Sequence, residues 1–141
     1  MVVEIKEFSS TDEIEEALDK EISETKSNLG AYLRRLDEIR TLAEKTKKVR
    51  QVVMKLAGKK DATESLGEVN VGNVNVVLDA TALDELSALE SVVRSHQERL
   101  LKVQKAREAL KPLDDFGETD GVTFLVVETD GVPERILLKV S

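Results

Sequence analysis

Three observations predict a helix-dominated α+β fold for this chain. Two long segments, 11–57 and 81–111, carry apolar residues at alternating spacings of three and four. Between them lies Val69-Asn70-Val71-Gly72-Asn73-Val74-Asn75-Val76, two alternating runs around Gly-Asn, which is the signature of a β-hairpin. The chain ends, 2–8 and 122–140, alternate in the manner of strands. With 141 residues, 35% of them charged and only 3% aromatic, the composition favours a single domain, 1–141, built on solvated helices.

Each element has a local cause. In 2–8, Val3 and Ile5 alternate with Glu4 and Lys6, so a strand burying Val3 and Ile5 is expected. Ser10 begins the first helix: its hydroxyl can accept from the Glu13 N–H, and the Glu13 carboxylate can reach back to the Ser10 N–H. Asp12, Glu13, Glu15 and Glu16 suit the positive end of the helix dipole. The helix 11–57 has one stripe through Ile22, Thr25, Leu29, Tyr32, Leu36, Ile39 and Ala43. A second register, Leu42, Thr46, Val49, Val53 and Leu56, reads as a phase slip near Ile39–Ala43. Gly30 is either a tolerated interior glycine or a break. A polar linker, 58–68, leads to the hairpin 69–78, with Gly72 at the positive-φ position of a type II′ turn. Val69, Val71, Val74 and Val76 then share one face. Asp79 or Thr81 caps the helix 81–111, whose stripe is Leu86, Leu89, Val93, His96, Leu100, Val103, Arg107 and Leu110. Pro112 ends it, residues 112–121 form an acidic loop, and a C-terminal hairpin, 122–140, turns at Asp130-Gly131.

Charge predicts how the helices meet. Residues 11–29 hold seven acids and two bases, 31–60 ten bases and three acids, 79–90 four acids and no base, and 91–111 six bases and two acids. Antiparallel pairing sets opposite blocks side by side, whereas parallel pairing sets like against like. The expectation is an antiparallel coiled-coil helical hairpin, with the β-hairpin 69–78 at one end. The N-terminal strand and C-terminal hairpin would form a small antiparallel sheet. Two helices alone leave half of each stripe wet, which points to an oligomer.

The absences exclude several chemistries. Without Cys there are no disulfides or thiolates, and one His precludes a multi-His metal site. No nucleotide-binding glycine pattern and no G-x-S-x-G occurs, so no catalytic residue, cofactor or metal is assigned. Asp114, Asp115, Glu118 and Asp120 lack the order of a calcium loop. Glu13, Glu15, Glu16 and Asp19 read as an acidic helix start. The basic run Lys45, Lys47, Lys48, Arg50, Lys55, Lys59 and Lys60 lacks interleaved aromatics; with a net charge of −7, nucleic acid is an unfavourable partner. No run of 18 apolar residues or signal-peptide pattern is present, so a cytoplasmic protein with no membrane partner is expected.

Two heptad helices flanking a β-hairpin, over 11–111, resemble the layout of prefoldin-type chaperone subunits. The resemblance implies a holdase, although the added N-terminal strand and C-terminal hairpin depart from that plan. The residues themselves favour a non-enzymatic oligomeric scaffold, adaptor or assembly factor acting through protein contacts with itself or another chain. Ile22, Leu29, Leu36, Ile39, Val53, Val93, Leu100 and Val103 would carry helix contacts, and Val69, Val71, Val74 and Val76 a β-mediated contact. A small helical-bundle enzyme would instead need His96, Arg107 or Tyr32 to converge between subunits.

Overall fold

A computed structural model of the chain describes residues 1–57, 67–78, 80–116 and 121–140. The order is β1 (Val3–Phe8), α1 (Thr11–Ala57), β2 (Gly67–Val71), β3 (Val74–Leu78), α2 (Ala82–Ala109), a 3-10 helix (Lys111–Phe116), β4 (Val122–Thr129) and β5 (Val132–Val140). The fold is α+β and helix-dominated, with small antiparallel sheets. Two compact units form: Met1–Asn28 with Ser95–Ser141, and Leu29–Arg94.

In the first unit a three-stranded antiparallel sheet, ordered β1-β4-β5, packs one face on the start of α1 and the end of α2. Ile14, Leu18, Val103, Phe124 and Val126 are its buried core, flanked by Phe8, Ile22, Leu110, Val122, Val132 and Ile136. The opposite-charge blocks meet here: Arg107 reaches Asp19 (3.0 Å) and Glu15 (3.5 Å), and Arg99 pairs with Glu21. Higher numbers on α1 face lower numbers on α2, so these segments run antiparallel.

The β1 expectation fails in its facing. Val3 and Ile5 are 60% and 66% exposed, and it is Phe8 that packs on the core. Ile5 and Phe8 differ in parity, and a strand can bury only one alternating set. The larger Phe8 ring wins, and Lys6 follows it inward to lie 3.0 Å from the buried Glu128 carboxylate. The contact is a charge pair rather than an aligned hydrogen bond, since Glu128 Oε2 has no hydrogen-bond donor among the described residues. This close polar contact holds the Lys6 ammonium above its ordinary value.

The turn between β4 and β5 places Asp130 at φ 51° and Gly131 at φ 80°, a two-residue I′ geometry. Arg99 lies over it so closely that a Cβ on Gly131 would come 2.5 Å from the guanidinium. The Asp130 N–H donates to the Val2 carbonyl, and the Val2 N–H donates to Asp130 Oδ1.

The helix starts differ in one detail. Ser10 Oγ accepts from the Glu13 N–H as expected, but the Glu13 carboxylate accepts from the N–H (2.9 Å) and hydroxyl (2.8 Å) of Ser9 instead of Ser10. These bonds hold the Glu13 carboxyl below its ordinary value. For α2, Thr81 and Asp84 cap each other reciprocally; Asp79 lies outside the described residues. The helix expected to run to 111 ends at Ala109, and 112–116, expected as loop, belong to a 3-10 helix (Lys111–Phe116), because Pro112 fits the opening of a helical turn whose N–H groups need no partner.

The second unit holds a smaller core of Leu36, Leu89 and Val93, with Leu29, Tyr32, Ile39 and Leu86 against it. Arg35 pairs with Glu85 at 3.0 Å. The break considered at Gly30 is absent, since α1 is one unbroken helix. One glycine costs about 1 kcal/mol, which the packed stripe on either side outweighs. The strands β2 and β3 pair Val69 with Val76, Asn70 with Asn75 and Val71 with Val74. Gly72 lies at φ 62°, as a type II′ turn requires.

Candidate protein-contact surfaces

The clearest surface in the second unit is the valine face of the β2–β3 hairpin. Alternate residues of a strand point to opposite faces, and cross-strand partners share a face. The register therefore gathers Val69, Val71, Val74 and Val76 on one side. All four are exposed, Val71 and Val74 at 62% and 64%. A two-stranded hairpin has no second layer of its own and is marginal in water.

A second apolar line lies on α1. Ala43 is buried, continuing the inward stripe of Leu36 and Ile39, while Leu42, Val49, Val52 and Leu56 are exposed. The two registers in the sequence are thus two faces of one regular helix, and the phase slip expected near Ile39–Ala43 is absent. The outward line has heptad spacing, with Lys48 and Lys55 beside it at positions that choose partners by charge. Lys48, Gln51, Val52 and Lys55 line a shallow groove there.

The first unit carries a third surface. The sheet face away from the helices presents Val3, Ile5, Leu125, Val127 and Leu137. On the helix side, Ala106, Ala109, Leu110, Pro112, Leu113, Ile136 and Leu138 border an open cleft of about 450 Å³ beside the edge strand β5.

The remaining expected positions distribute as follows. Leu36, Val93 and Val103 are buried; Ile22, Leu29 and Ile39 pack against the cores. Leu100 is half-buried and belongs to neither core cluster. Val53 lies within α1, with its side chain outside the described residues. Tyr32 packs in the second unit's core, Arg107 is held by Glu15 and Asp19, and His96 is half-buried on α2. Arg107 stands eleven residues, about 16 Å, along α2 from His96. Of the acids weighed for metal binding, Glu13 caps α1 and Glu15 and Asp19 hold Arg107; Glu118 and Asp120 lie outside the described residues. Ile14, Leu18, Phe124 and Val126, absent from the expected contact set, are core residues. Their signal was present as the four-residue spacing Ile14-Leu18-Ile22 and the period-two run 122–128.

Among the described residues no helix is long and apolar enough to cross a membrane. Comparison with known protein families, with curated proteins and with solved structures finds no match to this chain.

Proposed function

We propose that this protein is a non-enzymatic, oligomeric scaffold or assembly factor that works by protein–protein contact, through a coiled-coil-like helical body and the valine face of the β2–β3 hairpin. The observation that carries the reading is the exposure of all four register-matched valines. Burying such side chains is worth about 1.5–3 kcal/mol each, and a face of this kind on a strand pair recruits other strands or apolar surfaces. The outward α1 line, Leu42, Val49, Val52 and Leu56, supports the same reading, because heptad apolar residues gain by packing against another helix.

Val71→Asp and Val74→Asp test it. Each places a charge in the centre of the face without touching either core. The expected outcome is a lower assembly mass by light scattering with unchanged helix content by circular dichroism. Unaltered mass in both variants would remove the hairpin as a contact surface.

A further inference from the structure

We infer that the outer face of the β1-β4-β5 sheet binds the same face of a second copy of this chain, related by a twofold axis parallel to the strands. The inference rests on the self-assembly proposed above and assigns a separate surface to it.

Three observations carry it. First, the face is apolar where solvent-facing strands are usually polar. Val3 and Ile5 of β1 are 60% and 66% exposed, and Leu137 of β5 is exposed as well. Half-buried Leu125 and Val127 lie between them on β4. The opposite face already has its second layer, in the helices that cover Phe124 and Val126. A sheet with apolar residues on both faces needs cover on both.

Second, the charges around this face are self-complementary. The register aligns Glu7, Leu125 and Leu137 in one row across the sheet, and Ile5, Val127 and Arg135 in the next. Lys139 lies opposite Thr123, on the other side of Leu137 from Arg135. One edge of the face is therefore acidic, at Glu7, and the other basic, at Arg135 and Lys139. All three side chains are exposed.

Third, symmetry uses this arrangement in only one way. A twofold axis parallel to the strands sets β1 of one copy over β5 of the other. Each Glu7 then falls over Leu137 of the second copy, between its Arg135 and Lys139, and the apolar centre closes twice over. An axis across the strands would stack β5 on β5 and crowd four cations together, which like-charge repulsion opposes. A wholly acidic partner would match Arg135 and Lys139 but leave Glu7 against like charge.

The size of the face sets the strength. Strands of about six paired residues, spaced by roughly 4.8 Å, give a face of roughly 20 Å by 14 Å. That is below the ~800 Å² per partner of a standard interface, so the contact is weak and concentration-dependent.

Sedimentation equilibrium over a wide concentration range tests this. Glu7→Arg alone, and Arg135→Glu with Lys139→Glu, should each weaken self-association about tenfold. The three changes together should return it to within about threefold of wild type, because the edges are merely exchanged. Circular dichroism checks that each variant folds. Charge variants that associate as tightly as wild type, or a combined variant that fails to recover, would overturn the inference. Val71→Asp in the same series separates the two surfaces. Loss of mass there alone leaves the hairpin reading standing and the sheet contact refuted. Loss in the sheet variants alone does the reverse.

Discussion

The two units bury their apolar residues to different degrees. In the first, five side chains are buried and six more pack around them, drawn from both helices and all three strands. In the second, the core cluster has three buried side chains with four around them, all from the helices, and no described side chain of the β2–β3 hairpin belongs to it. Its valines and the outward line of α1 stay in water. The contrast teaches where fold and function divide. The first unit's core has a sheet-on-helix layer, whereas many described apolar residues of the second unit are exposed. Residues arranged so regularly in register, yet left exposed, are suited to contact outside the unit.

The largest expected effect breaks the comparison at its stronger side. Phe124→Ala empties the centre of the first core and should cost about 3–5 kcal/mol in urea unfolding. Leu36→Ala, in the thinner core, should cost about 2–3 kcal/mol, because fewer neighbours surround the cavity and they can relax into it. Hydrogen exchange would localise each loss: Leu36→Ala should speed exchange in 29–57 and 82–94 while leaving β4 protected. Equal costs with global loss of protection in both variants would mean that the cores do not differ as described.

A smaller effect sharpens the comparison. A Cβ at Gly30 meets nothing within 4 Å, and the residue is interior to α1. Gly30→Ala should therefore stabilise the protein by about 0.5–1 kcal/mol, read as a rise in thermal midpoint. A fall would show that the backbone at Gly30 departs from regular helix.

The smallest effect concerns pH. The Ser9 N–H and hydroxyl hold the folded-state Glu13 carboxyl below its ordinary value of 4.5. Its contribution is fully present above 4.5 and is lost as pH falls through the lowered folded value. Glu13→Gln, which does not titrate, should lie slightly below wild type on the neutral plateau and meet it at low pH, so that the acid limb flattens. An acid limb identical to wild type would show that the Ser9 contacts do not form in solution.

Much of this is legible in the sequence. Gly-Asn between alternating valines specified the β2–β3 register residue by residue, because the turn and the period of two leave little freedom. The charge blocks foretold the pairs of Arg107, Arg99 and Arg35 with acids on α1 or α2. What escaped depends on tertiary choice. Local alternation cannot decide between burying Ile5 and burying Phe8, since that rests on which set meets the helices. The second α1 register looked like a slip in one face because sequence spacing alone does not tell a shifted face from a second one. Glu128 inside the sheet is invisible in the sequence, because only the β1–β4 register brings Lys6, diagonal to it on the same face, within 3.0 Å. Of the contact surfaces, the valine face was readable, whereas the outer sheet face was not, since Val3 and Ile5 were expected to be inside.

These ordered, exposed apolar faces are suited to be covered by a second copy of the chain. Light scattering behind size exclusion, on the wild-type chain at two concentrations about tenfold apart, tests it most directly. Self-assembly gives a mass that is a multiple of 15.6 kDa and that rises or holds with concentration. A particle of 15.6 kDa at both concentrations would contradict self-assembly.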